Sequence, residues 1–219
     1  MINAAFTLSL QQIRKIEMEK IIYDKNSIEF ITVGVEYCSL LENASGYSKS
    51  EFVRKAVIVL PLLYLKATLL PKDNEEELQG YAEEFVTETE YEMIRSVIAS
   101  VLAEDDDYLE TFHPDMNYSD APIAAYISED LADVYQDIKN LAYIYSTRQE
   151  EAMRIALADC RRSFYEFWGQ KLVNSMGAIH ALLAQADIEE DDSREHDENE
   201  NSSFGYDLTN NSDIEDEIF

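Results

Sequence analysis

The sequence predicts an all-α protein: a single bundle of five to six helices with a long C-terminal helix and a disordered acidic tail. Apolar residues recur at steps of three and four along almost the whole chain, which is the spacing of one face of an α-helix. Only six glycines and four prolines interrupt the 219 residues, so few positions favour turns. Hydrophobic residues make up 46% of the chain, which is enough to build the core of one ordinary domain.

The first two helices are predicted from apolar stripes and one capping box. Helix one is expected over residues 27–42, with an apolar face formed by Ile28, Ile31, Val35, Cys38 and Leu41. Helix two begins at SKSE, residues 48–51, because Ser48 and Glu51 can satisfy each other's free backbone N–H groups. Its apolar stripe comprises Phe52, Ala56, Val59, Leu60, Leu63, Tyr64 and Ala67.

Helices three and four follow a polar linker over residues 71–86. The sequence TETE, residues 87–90, is a second capping box and begins helix three. The face that we expect helix three to bury comprises Tyr91, Ile94, Val97, Ile98, Val101 and Leu102. Ser128 is expected to cap helix four. The apolar stripe of helix four comprises Leu131, Val134, Tyr135, Ile138, Leu141, Ala142 and Tyr145.

The last helical region is predicted to be the longest. Apolar residues run from Met153 to Leu183 at steps of three or four and pass through Gly169 in phase. We therefore expect either one long helix of about 50 Å, straight or bent at Gly169, or two nearly collinear helices. Residues 187–219 are too acidic to bury a core. We therefore divide the chain into an N-terminal extension (1–22), a helical bundle (23–186) and a disordered acidic tail (187–219).

The charge of the chain restricts its partners. The formal net charge is -28, from 45 acidic and 17 basic residues. Such a field repels nucleic-acid phosphates and anionic membrane surfaces, and it favours a basic protein partner. Cys38 and Cys160 lie in apolar helical patterns and are expected to be reduced core residues. No apolar run reaches the roughly 20 residues that a membrane span needs, so we expect a soluble, cytoplasmic protein.

One acidic block is the most prominent candidate site. Residues 104–120 read EDDDYLETFHPDMNYSD, and no Lys or Arg occurs from Ser96 to Ile138. We predict an ordered loop between helices three and four, with its acids facing solvent. Four apolar or aromatic residues are expected to pin it to the bundle: Tyr108, Leu109, Phe112 and Met116. The predicted interaction surface comprises Asp105, Asp106, Tyr108, Glu110, His113, Asp115, Tyr118 and Asp120.

Tyrosines are abundant in the same half of the chain. They are Tyr108, Tyr118, Tyr126, Tyr135, Tyr143 and Tyr145. One interpretation is that they line helix contacts with their hydroxyls reaching solvent. The other is that they are aromatic anchors, surrounded by acids, for a basic partner. The sequence leaves both open.

A magnesium site is the competing hypothesis. Its candidate ligands are Glu104, Asp107, Asp130 and Asp133, because carboxylate oxygens suit magnesium. Residues 128–143, SEDLADVYQDIKNLAY, are similar to one acidic helix of the all-α nucleoside-triphosphate pyrophosphohydrolases. That resemblance implies two acidic pairs, on neighbouring helices, that hold magnesium for attack on a phosphoanhydride.

The helical wheel argues against this hypothesis. Asp133 falls almost opposite the apolar stripe of helix four, and Asp130 and Asp137 lie well off it, so we expect all three to face water. A cation to hold a triphosphate would have to come from Lys171 or Arg161.

Other catalytic chemistry is not indicated. The chain has a single E-x-x-H, formed by Glu110 and His113, whereas a di-iron carboxylate bundle needs two such motifs and two further glutamates. The chain has no C-x-x-C pair and no Gly-rich phosphate loop, and no nucleophile triad is recognisable. We therefore expect no cofactor, with magnesium only under the alternative.

Three long stretches carry a family resemblance. They are LPLLYLKATLLP (60–71), DDDYLETFHPDMNYSDAPIAAYISEDLADVYQDIKNL (105–141) and FWGQKLVNSMGAIHALL (167–183). Over about residues 27–185 the chain resembles a bacterial family catalogued as domain of unknown function 5063, common in Bacteroidetes. The resemblance implies a helical, soluble bacterial protein with no established activity. Because its relatives lie near genes for a ribonuclease D-like exonuclease and an rRNA methyltransferase, it also implies an accessory role in RNA processing through a protein partner.

The sequence therefore predicts a non-catalytic protein-interaction or regulatory module that presents an acidic, tyrosine-rich surface. The alternative is a magnesium-dependent hydrolase that resembles the all-α nucleoside-triphosphate pyrophosphohydrolases.

Overall fold

The structure is a computed structural model of the chain. It describes residues 12, 15–16, 18–73, 78, 80–110 and 123–184. The predicted all-α class is confirmed, since all but one short hairpin of the regular structure in these residues is helical. None of the helices in this part of the chain is long and apolar enough to cross a membrane. The predicted tail, 187–219, lies outside the described residues.

Helix α1, Lys25–Glu42, begins at Asp24, whose carboxylate accepts the N–H of Asn26 at 2.8 Å. The predicted apolar face of this helix is wrong at two positions, because Ile28 and Val35 are 43% and 49% exposed. The residues that α1 buries are Ser27, Phe30, Gly34, Tyr37, Cys38, Leu40 and Leu41. The prediction was based on the spacing of aliphatic side chains, whereas two aromatic rings and a glycine, Phe30, Tyr37 and Gly34, form much of the buried face.

Helices α2, Lys49–Thr68, and α3, Glu88–Leu102, start as predicted. Both capping boxes are present, from Ser48 to Glu51 and from Thr87 to Glu90. The α-helix continues through Pro61, which lies on the exposed side of α2. The fully buried face of α2 comprises Phe52, Val53, Ala56, Leu60, Leu63 and Ala67.

A two-stranded hairpin stands where a loop was predicted between helices three and four. Strands β1, Asp107–Glu110, and β2, Ile123–Tyr126, pair antiparallel, with Tyr108 opposite Ala125. Tyr108 packs against the core as predicted, whereas Leu109 is 63% exposed and does not. Phe112 and Met116 lie outside the described residues.

Helix α4, Ile127–Thr147, is the central element, because it packs against α1, α3 and the helix that follows it. Gly34 permits the close approach of α1, since an added Cβ would lie only 2.8 Å from Cγ2 of Ile138. The prediction that Ser128 caps α4 is wrong: Ser128 lies within the first turn and is fully buried. Its N–H and hydroxyl donate to the carboxylate of Asp106 at 2.8 and 2.7 Å, so the capping group comes from before the hairpin.

The predicted long C-terminal helix is confirmed. Helix α5, Glu150–Ser163, passes into one π-helical turn, Phe164–Trp168, and residues 169–183 continue as helix α6. Within the π-turn region the indole N–H of Trp168 donates to the carbonyl of Cys160 at 3.1 Å. Gly169 is required here, since an added Cβ would lie 2.3 Å from the carbonyl oxygen of Phe164.

Tyrosine hydroxyls link the helices to one another. Tyr37 donates to the carbonyl of Leu131 at 2.7 Å, and Tyr145 donates to that of Ile22 at 3.2 Å. Tyr135 donates to Glu42 at 2.9 Å. Ile22 is itself fully buried, so the bundle includes a residue of the predicted N-terminal extension. For Tyr135 and Tyr145 the helix-contact interpretation holds, but their hydroxyls bond across the bundle rather than reaching solvent.

Candidate functional site

A polar stripe runs along α4 on the side that faces α5 and α6. It consists of Asp130, Asp133, Asp137 and Asn140, at steps of three and four residues. None of the four is exposed, and Asp130 is only 5% exposed. The prediction that the three acids face water is therefore wrong. A central helix buries more than one face, so the side opposite its apolar stripe does not have to be solvated.

Lys171 of α6 neutralises the first two acids of this stripe. Its Nζ lies 3.1 Å from Oδ1 of Asp130 and 2.8 Å from Oδ2 of Asp133. Tyr108 donates a hydrogen bond to the other oxygen of Asp130, and Tyr91 donates to Oδ1 of Asp133 at 2.9 Å. These contacts join the hairpin, α3, α4 and α6 in one network.

Burial and the neighbouring charges shift the pKa values of Asp130 and Lys171 in opposite directions. Burial raises the pKa of Asp130, while the Tyr108 hydroxyl and the Lys171 ammonium partly oppose that rise. Burial disfavours the charge of Lys171, but the hydrogen bond to Asp133 and the two carboxylates leave its pKa above the ordinary value. The arrangement is that of a buried ion pair with its remaining hydrogen-bonding positions largely satisfied.

The four magnesium candidates do not converge. Glu104 has an 81% exposed side chain 3.9 Å from Lys49. Asp107 is exposed on β1, whose adjacent residue Tyr108 points the other way into the bundle. Across the part of the chain that the structure describes, no three acidic, His or Cys side chains gather as a metal site would require.

The four described residues of the predicted interaction surface make contacts that hold the hairpin in place. Asp105 binds Lys49 at 2.5 Å, and Glu110 accepts a hydrogen bond from Asn174 of α6 at 2.8 Å. Asp106 is only 8% exposed and so contributes nothing to an outer surface. Tyr108 is half-buried against Asp130. The other four residues, His113, Asp115, Tyr118 and Asp120, lie outside the described residues.

A separate cleft of about 330 Å³ opens beside the distal half of the polar stripe. Residues 81–84, α4, α5 and the π-turn form its walls. We call it the acidic cleft. Its charged lining residues are Glu83, Glu84, Asp137, Asp159, Arg162 and Glu166. Sequence patterns do not predict this site, because residues 71–86 have the composition of a polar linker and the residues of α4 and α5 that they contact are more than fifty positions away.

Backbone hydrogen bonds explain how the linker comes to form a wall of the cleft. Asp159 of α5 accepts the N–H of Ala82 at 2.8 Å. Asn140 of α4 accepts the N–H groups of Phe85 and Val86 at 2.8 and 2.9 Å. An extended segment without a strand partner is thus fixed by side chains, which satisfies its buried donors.

Asp137 lies in the cleft lining. Burial raises the pKa of its carboxyl to about 6, against the hydrogen bond from Ser163, and Asp133 and Glu84 add to the rise. The groups that shift the pKa of Asp137 are thus a hydroxyl and two other carboxylates, whereas Asp130 has the ammonium group of Lys171 beside it. A desolvated carboxyl with a raised pKa in a cleft is a frequent property of binding sites.

The π-turn connects the cleft with the Lys171 network. Phe167 lines the cleft and is 48% exposed, and the Nζ of Lys171 lies 5.3 Å from the centre of its ring. The π-turn also supplies Glu166 to the lining, next to Ser163 at the end of α5. π-turns within α-helices are often found at functional sites because they change the direction of the side chains that follow.

Neither cysteine is placed for nucleophilic chemistry. Cys38 and Cys160 are both buried, and neither forms a disulfide. Burial raises the pKa of the Cys38 thiol to about 12 and holds that of Cys160 well above its usual value. Since the thiolate is the reactive form, both are core residues, as the sequence predicted.

The fold and site define an all-α bundle with an acidic cleft, and comparison assigns the chain to a family. It belongs to the family described as Domain of unknown function (DUF5063), whose model matches residues 21–185. This confirms the resemblance noted in the sequence. The chain is 44% identical to protein BF1032 from Bacteroides fragilis, whose crystal structure it matches with a TM-score of 0.64 over 74% of this chain and 94% of that one. No curated protein matches the chain.

Proposed function

We propose that this protein is a non-catalytic interaction module that binds a basic segment of a partner protein at the acidic cleft. The observation that carries the proposal is the charge of the cleft. Five of its six charged lining residues are acidic, and Arg162, the sixth, is already paired with Asp159. A concave site of one charge sign focuses the field and attracts ligands of the opposite sign.

Aromatic side chains at the cleft suit the same ligand. Tyr81 is 88% exposed and Phe167 is 48% exposed, and both line the opening. Exposed rings can stack on a guanidinium or bind an ammonium group over their faces. An adjoining pocket of about 200 Å³, lined in part by Phe85, Ile144 and Ile155, has room for an apolar residue next to the basic one.

Three other shielded acids already have structural partners, which supports a non-catalytic role. Asp130 and Asp133 have Lys171 as their counter-ion, and Asp106 caps α4. The magnesium alternative has less support, because a lysine takes the position between two of its four candidate ligands. The acidic, tyrosine-bearing surface of the proposal is thus at the cleft, and a role accessory to RNA processing stays a prediction.

The experiment compares two variants that remove the same charge. E83Q/E84Q/E166Q neutralises three exposed acids of the cleft, and E36Q/E129Q/E151Q neutralises three exposed acids elsewhere. Binding of a fluorescein-labelled, lysine-rich peptide is followed by fluorescence anisotropy. We expect the cleft variant to bind about tenfold more weakly than the wild type, which corresponds to about 1.4 kcal/mol, and the control variant to bind almost normally. Equal losses in the two variants would mean that the overall charge, and not the cleft, attracts the peptide.

A further inference from the structure

Helix α2 carries a row of exposed apolar side chains. Ile58, Leu62, Leu65 and Leu69 are 68%, 40%, 51% and 45% exposed. They follow one another at steps of four, three and four residues and so lie along one face of the helix. We call this row the α2 stripe.

The opposite face of the same helix is buried in the core, so the part of α2 from Ala56 to Leu65 is apolar on both faces. A helix of that kind is normally covered on every side. Single exposed leucines are common, whereas a contiguous apolar surface on a folded chain marks an interaction site. On α1, which packs along α2, Ile28 and Val35 are also exposed and add to the apolar surface of this helix pair.

The charge around the α2 stripe is opposite to that of the chain. Residues 49–72 contain five basic residues, Lys49, Arg54, Lys55, Lys66 and Lys72, and one acid, Glu51. The segment therefore has a formal charge of +4 in a chain of -28. Lys66 is paired with Glu29 of α1 at 2.7 Å, and Lys49 is paired with Asp105 at 2.5 Å. The two other lysines of the segment, Lys55 and Lys72, are exposed and give the positive charge beside the stripe.

Two lysines bracket the stripe along the chain. Lys55 lies one turn before Ile58 and is exposed, with its Nζ 5.0 Å from the centre of the Tyr47 ring. Lys72 is exposed just beyond Leu69. The stripe itself spans twelve residues, from Ile58 to Leu69, or about 16 Å at a rise of 1.5 Å per residue, which is the length of three helical turns.

We propose that the α2 stripe docks an acidic amphipathic helix of a partner protein. Such a helix would place apolar residues at steps of three and four against the stripe, and carboxylates at its ends against Lys55 and Lys72. The inference is independent of the acidic cleft, which has the opposite charge and requires a basic ligand. Together the two surfaces would make this protein an adaptor between partners of unlike charge.

Charge complementarity favours this occupant over two others. An anionic membrane would attract Lys55 and Lys72, but it would repel a chain whose net charge is -28. A second copy would bring two basic α2 segments face to face. An acidic helix is small enough to contact only the positive segment, residues 49–72. Salt screens its repulsion from acidic residues of this chain that lie more than about 8 Å away.

The test is an unbiased selection of peptides. A display library of helical peptides with random charge is selected on the full-length wild-type protein, with L62E/L65E as the counter-selection. We expect the enriched peptides to be acidic and to carry apolar residues at helical spacing. They should bind L62E/L65E about tenfold more weakly than the wild type. They should also bind K55Q/K72Q more weakly, with a smaller dependence on salt, because this variant removes the two attracting charges.

The matched control is M93E/S100E, which places two charges on α3, at Met93, which is 57% exposed, and at the exposed Ser100. It should bind the selected peptides like the wild type, and circular dichroism should show all the variants to be folded. Enrichment of neutral or basic peptides, no enrichment, or equal binding to L62E/L65E would overturn the proposal. Stripe-dependent sedimentation with anionic vesicles would assign the surface to lipid. A dimer that L62E/L65E dissociates would assign it to a second copy.

Discussion

The ammonium group of Lys171 lies 2.8 Å from a carboxylate oxygen of Asp133. The same ammonium reaches Asp130, so a single cation serves two shielded carboxylates on adjacent turns of α4. Removal of the lysine would leave two negative charges in the bundle without a counter-ion.

Lys171→Met should therefore destabilise the fold strongly. We expect a loss of about 2–4 kcal/mol in the free energy of unfolding at neutral pH, because breaking a buried pair leaves uncompensated charge. The deficit should shrink as the pH falls, since burial has already raised the pKa of Asp130 and a protonated carboxyl needs no cation. Urea unfolding at several pH values measures both effects. Lys25→Met, at a lysine with an 83% exposed side chain, should change stability by less than about 1 kcal/mol.

Asp137→Asn should stabilise the protein above about pH 6. The pKa of Asp137 is raised from 3.8 to about 6 in the folded state, so the folded chain binds this proton more tightly than the unfolded chain. Its contribution to stability is present at low pH and is lost as the pH rises through about 6. We expect a gain of about 1–3 kcal/mol for the variant at pH 7.5 and none below about pH 4.

The free energy of unfolding of the wild type and of Asp137→Asn can be measured by urea titration at several pH values across this range. Asp107→Asn, at an exposed acid of β1, provides the control and should track the wild type throughout. A variant that is no more stable at pH 7.5 would show that the charge of Asp137 is compensated within the cleft.

Asp106→Ala should weaken the junction between the hairpin and α4. It removes the acceptor for both the N–H and the hydroxyl of Ser128, which is fully buried. The expected loss is about 2–4 kcal/mol, because two buried donors remain unsatisfied. Asp107→Ala, one residue further on and exposed, should have little effect in the same thermal or urea unfolding experiment. Similar losses in the two variants would contradict the capping role of Asp106.

Two glycines of α6 should respond in opposite ways to alanine. Gly169→Ala forces a methyl group against the Phe164 carbonyl and ring and should cost about 1–3 kcal/mol. Gly177→Ala adds its methyl group where nothing lies within 4 Å and should stabilise the helix by about 0.5–1 kcal/mol. A stable Gly169→Ala protein with an unchanged unfolding midpoint would show that the π-turn can relax around the methyl group.

Local signals predicted the parts of this fold that depend on neighbouring residues. Ser48 with Glu51, and Thr87 with Glu90, form their capping boxes within four residues, so the sequence is sufficient to find them. Ser128 has the right chemistry for a cap, but it lies inside the helix because Asp106 reaches it from 22 residues earlier. A rule that considers only adjacent residues cannot detect such a partner.

The candidate sites were harder to predict for the same reason. A helical wheel separates an apolar side from a polar side, and for α4 the polar side packs against Lys171 of a distant helix. The cleft depends on Asp159 and Asn140 holding the backbone of residues 82–86, and neither contact leaves a periodic signal. The family resemblance was recognisable because long continuous stretches carry it.

Several tyrosine hydroxyls donate hydrogen bonds across the bundle. The ultraviolet absorbance of these phenols therefore reports whether the bundle is folded. Burial raises the pKa of Tyr37, Tyr91, Tyr108, Tyr135 and Tyr145. Exposed phenols would form tyrosinate in an ordinary alkaline titration. These five would do so only when the helices separate, so the late rise in ultraviolet absorbance would coincide with unfolding.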